Sequence, residues 1–155
     1  MEIILWIILI GVITWFLFYR RKLMPHEIQN LISERIASIT DETRVRLENS
    51  HLKDYLDYEK HFFLTMEENY LRLAERFRHD KIKQAQITKD WISYNEIING
   101  LIHEREMLDV STSDENAENS DQETKKLQIK RQEIETRFKE LLGKQFNDPM
   151  KIIKK

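Results

Sequence analysis

Apolar side chains recur along this chain at steps of three and four, except in one segment where they are unbroken. Ile3 to Tyr19 reads IILWIILIGVITWFLFY and carries no charge. A helix of that length rises about 25 Å, at the short end of what spans a hydrocarbon core of about 30 Å. A helix apolar on every side suits lipid better than the core of a small domain. Trp6, Trp15 and Tyr19 suit the two interfaces, and Arg20 can extend outward from the end of the span. The start is Met-Glu and the end is bulky, neither of which fits a cleaved leader. The pattern predicts an uncleaved transmembrane helix.

Pro25 favours a break after the span and suits the first turn of a new helix. Ile28, Leu31, Ile32, Ile36 and Ile39 then mark an amphipathic helix that ends near Thr40 or runs on through it. A longer pattern starts at Val45. Its seam is Leu52, Leu56, Glu59, Phe63, Met66, Tyr70, Leu73 and Phe77, apolar at every position but Glu59. That is a heptad repeat, flanked by Tyr55, Phe62, Leu71 and Ala74, and so wide enough for a bundle rather than a bare two-stranded rod. A third seam runs Ile87, Trp91, Tyr94, Ile98, Leu101, Arg105 and Leu108. Thr88 is the expected N-cap, with Asp90 near the positive helix start. The turn is expected between His79 and Ile87, folding helices 45–80 and 87–109 into an antiparallel pair. No glycine or proline marks it, so one continuous helix stays open.

Ser111 to Thr124 reads STSDENAENSDQET, with Ala117 its single apolar residue. Such a stretch buries too little to offset chain ordering and is expected as a disordered acidic linker. Leu127, Ile134, Phe138, Leu141 and Leu142 mark a final helix, with Gly143 as its C-terminal cap. The predicted fold class is therefore all-α: an anchor with a basic flank (1–22), a helical bundle or coiled coil (23–110), the linker (111–124), and a basic amphipathic helix and tail (125–155).

Composition sharpens this in two places. Three glycines and two prolines among 155 residues leave too few turns for a sandwich or an α/β fold. The net charge of −2 hides a basic end, since Lys125 to Lys155 holds ten bases against four acids. Orientation follows from cations near the span. None precedes it, whereas Arg20, Arg21 and Lys22 follow at once, which places the C-terminal side in the cytoplasm.

Candidate chemistry changes the picture little. Without cysteine there is no thiol nucleophile, disulfide or Cys-based zinc site. Gly11, Gly100 and Gly143 are isolated, so no phosphate-cradling loop is formed. Glu48 and His51 form one Glu-x-x-His pair where a di-iron bundle needs two. Asp54, Asp57 and His61 share a helix face and read best as a solvated one. Glu59 is the polar member of its seam and rotates toward water, or else pairs with Arg105 across the hairpin. The basic tail docks its apolar side on the bundle with its lysines in water. Anionic-lipid contact is the second reading of that tail, and nucleic acid a distant third.

The sequence thus predicts a single-pass membrane scaffold, with membrane lipid and helical protein partners, or a second copy, as its contacts. The membrane-interface residues are Trp6, Trp15, Tyr19, Arg20, Arg21 and Lys22. The interaction seam is Leu52 to Phe77. No catalytic, cofactor or metal site is expected. The alternative is a membrane-remodelling or lysis component with its coiled segment outside the inner membrane. Its layout would then resemble the inner-membrane half of a phage spanin.

Overall fold

A computed structural model describes residues 29–49, 53–110 and 114–151, with side chains described for 29–49, 57–108 and 120–151. Helix α1 covers 29–49, α2 Lys53–Arg76, α3 Lys81–Val110 and α4 Asp114–Leu142, followed by short 3-10 turns at Gly143–Gln145 and Pro149–Lys151. Among the described residues there is no strand. The all-helical expectation holds for them. The chain divides into two units, Met1–Ser38 and Ile39–Lys155. In the first, residues 29–38 are helical and mostly exposed, with Leu31 and Ile32 in solvent. The predicted span at 3–19, its flank and Pro25 lie outside the described residues. No helix among those described is long and apolar enough to cross a membrane.

The second unit is a helical bundle, and its register follows from the seams. Phe63, Met66 and Leu73 on α2 and Ile87, Trp91, Tyr94 and Ile98 on α3 are fully or almost fully buried. Ile134, Phe138 and Leu142 supply the face of α4. Trp91 is the centre, with its ring 4.9 Å from Tyr70, 5.4 Å from Phe63 and 5.7 Å from Tyr94 between centroids. Offset ring stacks of this kind stabilise beyond the area they bury.

Four features differ from expectation. The first helix takes the longer of its two expected courses, through Thr40, so that Val45 belongs to it and does not open the second; its inner face from Ile39 is set by Ile39, Thr40, Thr43 and Leu47, leaving Val45 in water. Trp91 Nε1 donates to Thr40 Oγ1 at 3.0 Å, and Asn99 Nδ2 donates to Thr43 Oγ1 at 2.9 Å. These bonds fix that segment to α3.

The hairpin turn lies at 77–80, earlier than predicted, and Asp80 caps α3 in place of Thr88. Its carboxylate accepts the Lys83 backbone N–H at 3.1 Å, the third position of the helix. The Gln84 side chain donates to the Ala74 carbonyl at 3.3 Å, and Trp91 meets Tyr70 and Phe63, so α3 folds back along α2. Asp90 is not a helix-start charge but a buried partner of Arg137, which reaches its two oxygens at 2.9 and 3.1 Å.

The acidic stretch expected as a disordered linker is helical from Asp114. Its helix is held by docking: Ser120 is buried and donates to Glu104 of α3 at 2.6 Å. Pairs one turn apart, Asp121 with Lys125 and Glu123 with Lys126, add local support. Leu127 sits over Gly100, where an added Cβ would approach it to 3.1 Å, so α3 and α4 meet closely. Gly143 does end α4, with φ at +56°, in the left-handed region that favours glycine.

The fourth difference is Glu59. It neither turns to water nor meets Arg105, which stands exposed on α3. It is 6% exposed and pairs with Arg131 of α4.

Candidate interaction site

The α2 stripe predicted as an interaction seam is largely consumed inside the chain. Phe63, Met66, Tyr70 and Leu73 are buried in the bundle, and Phe77 is half-buried at the turn. Leu52 lies outside the described residues, as does the Leu56 side chain. The membrane-interface residues Trp6, Trp15, Tyr19, Arg20, Arg21 and Lys22 lie outside them too. What the seam brings together is a charged cluster and, beside it, the face of α2 that receives the segment after α4.

The cluster is built on one turn of α4 against α2 and α3. Arg131, 9% exposed, places Nη1 3.0 Å from Glu59 Oε1 and 2.9 Å from Oε2. Its Nε donates to Glu135 Oε1 at 2.9 Å, and its guanidinium lies 4.2 Å from the Phe62 ring centroid. The Tyr94 hydroxyl donates to the same Glu135 oxygen at 3.4 Å. Two carboxylates thus share one guanidinium, which leaves the cluster one negative charge in excess when all three are ionised.

Electrostatics follow from burial and this imbalance. Burial works against the Arg131 charge, but Tyr94, Glu59 and Glu135 together hold the guanidinium above its ordinary range. Burial pushes the Tyr94 hydroxyl well up. Burial also raises the Glu135 carboxyl, with Arg131 opposing. A raised carboxylate holds its proton more tightly folded than unfolded. Its favourable contribution is therefore present in acid and is lost as pH rises through the folded value. Replacing Glu135 by glutamine should remove this dependence. The stability of E135Q relative to wild type should improve from mildly acidic to neutral pH, as read from urea midpoints at both. A constant difference would contradict the assignment.

The signal for Arg131 was in the sequence. Leu127, Arg131, Ile134, Phe138 and Leu141 follow steps of four, three, four and three, so Arg131 holds a seam position, as Glu59 does. One cation and one anion, each at a seam position of its helix, are the natural pair. A buried pair of this kind is weak evidence for stability but can fix which helix faces meet.

A groove of about 430 Å³ opens beside the cluster, lined by Tyr58, Phe62, Gln128, Gln132 and Met150 among others. Past it, residues 141–150 lie along α2. Asn69, fully buried, donates from Nδ2 to the Asn147 carbonyl at 2.8 Å and accepts the Asn147 N–H at 2.9 Å. Arg72 and Arg76 donate to the carbonyls of Gln145 and Leu141, each at 2.9 Å. On the helix face that Asp54, Asp57 and His61 share, Asp57 is exposed and His61 is half-buried. Among the described residues no group of three or more histidine, aspartate or glutamate side chains is placed to hold a metal ion.

In comparisons with protein-family models, curated proteins and solved structures, this chain matches none.

Proposed function

We propose that this chain is a single-pass, membrane-anchored scaffold that presents a helical bundle to protein partners at the cytoplasmic face of a bacterial inner membrane. One observation carries the reading: seventeen uncharged residues, 3–19, run directly into Arg20-Arg21-Lys22. Tethering confines the bundle to a thin layer and raises its effective concentration for partners held in that layer. The bundle is suited to such work because polar pairs tie its helices together: Glu59–Arg131 and Trp91–Thr40, both buried, and Asp90–Arg137, whose carboxylate is buried and whose guanidinium is partly exposed. Apolar side chains remain on its surface, among them Leu71, Ile82, Met107 and Ile129. They are contact points for partner helices, in place of the seam that the chain covers itself. Lysines of the tail add contact with anionic lipid, each worth about 1 kcal/mol near such a surface.

The test separates anchor from orientation. The full chain should sediment with vesicles and resist alkaline extraction, while a chain lacking 1–22 should stay in the supernatant. A phosphatase fused at the C-terminus should be inactive and a fluorescent protein there bright. Active phosphatase would reverse the orientation and favour the membrane-remodelling alternative.

A further inference from the structure

From Leu141, in the last turn of α4, the chain runs back along α2, opposite in direction to that helix. Leu141 meets Arg76, Gln145 meets Arg72, Asn147 meets Asn69, and Met150 Sδ lies 3.1 Å from the Tyr58 hydroxyl. The first three contacts go to main-chain groups, which every residue type carries. Asn69 treats Asn147 as a neighbouring strand would, since one side-chain amide satisfies both its N–H and its C=O. Little apolar burial backs these bonds. Of the apolar side chains between Gly143 and Lys151, Pro149 is buried, Phe146 is half-buried and Met150 is 52% exposed. Release of this segment would therefore forfeit few apolar contacts and return its polar groups to water, which marks it as a low-stability element of the bundle.

We propose that the α2 face from Tyr58 to Arg72 is a track for a short peptide that turns twice, and that residues 143–151, two 3-10 turns joined at 146–148, occupy it in cis until a partner segment displaces them. The partner is a short protein segment of the same chemistry. It offers a free N–H and C=O at one residue, a proline two residues later, and a soft apolar side chain next, as Asn147, Pro149 and Met150 do. Proline keeps the residue before it out of the helical region, which separates Asn147 from the turn that starts at Pro149. This deepens the scaffold reading by naming its contact surface. Vesicle sedimentation tests the anchor separately, so failure here leaves that reading standing.

The probe is a fluorescein-labelled peptide of residues 143–151, GKQFNDPMK, added to the full chain in detergent micelles and followed by anisotropy. In cis occupancy lowers apparent affinity by the fraction of open track, so Asn147→Pro, which deletes the paired N–H, should tighten peptide binding about tenfold or more. Pro149→Gly with Met150→Ala loosens the same segment by another route and should act likewise. Adding Asn69→Ala to either variant should abolish the gain while helix content by circular dichroism is unchanged. Equal affinity for wild type and both loosened chains would overturn the proposal, as would binding that survives loss of Asn69. A concentration-dependent wild-type dimer that exchanges this segment yet ignores the added peptide would also overturn it, and would make a second copy the occupant.

Discussion

Arg131→Ala should lower the stability of the bundle by about 3–5 kcal/mol, the cost typical of breaking a buried ion pair from one side. The loss is large because of what remains. Glu59 and Glu135 would face each other across the vacated space, with side chains 7% and 21% exposed and no cation between them. Phe62 would lose the guanidinium that covers its ring. Glu59→Gln should be far milder, since Arg131 keeps Glu135 at 2.9 Å and a neutral amide can still accept a bond. The comparison that isolates charge from shape is Glu59→Leu with Arg131→Met and Glu135→Gln, which leaves neither carboxylate of the cluster facing an absent cation. Apolar or neutral replacement of a buried ionic cluster is often neutral or stabilising, so the triple variant should regain most of what Arg131→Ala loses. Urea unfolding of the full chain in micelles, followed by circular dichroism, reads all three. A loss under about 1 kcal/mol for Arg131→Ala, as for exposed pairs, would show that water reaches the cluster.

The parts of this fold legible in the sequence are those in which periodicity alone decides burial. From Phe63 to Leu73 and from Ile87 to Leu101 the heptad steps pick out the core, because each apolar position faces a neighbouring helix. The turn was misplaced for a physical reason. The first turn of α3 has a single apolar residue, Ile82, and it lies 84% exposed. Periodicity has nothing to register there, and Asp80 as a cap was the one available sign. The acidic stretch misled differently. Composition describes what a segment can bury by itself, whereas Ser120 is ordered by Glu104, sixteen residues away in the chain.

The candidate site was half legible. Glu59 stands out as polar in a seam, but a hairpin points to the adjacent helix, at Arg105, for its partner, and not to α4, whose own seam contains Arg131. The peptide-like pairing of Asn69 with Asn147 left no trace at all. An asparagine beside a seam looks the same whether it meets water or a backbone 78 residues away, and main-chain recognition leaves no side-chain pattern to detect. What periodicity misses in this protein is therefore its polar interior, which is also where its helices are told apart.

Trp91→Ala should cost about 3–5 kcal/mol, as large-to-small changes at fully buried aromatic positions do. Its side chain is 0% exposed and joins α3 to two other elements, meeting Phe63 and Tyr70 on α2 and Thr40 on α1, beside Tyr94 of its own helix. The bond from Nε1 to Thr40 makes a distinction that total stability does not. Trp91→Phe keeps an aromatic ring in the stack but leaves the buried Thr40 hydroxyl without its donor, at a cost of about 1–3 kcal/mol. Thr40→Val should cost less in the Trp91→Phe background than in wild type, because the hydroxyl it removes is then already unpaired. Hydrogen exchange at residues 39–49 is the local readout. In Trp91→Phe those amides should exchange faster than the amides of α4, because Thr40 is one of the few polar ties from that segment to α3. Equal acceleration in both would mean that Trp91 holds the bundle as one cooperative unit and that its hydrogen bond positions nothing in particular.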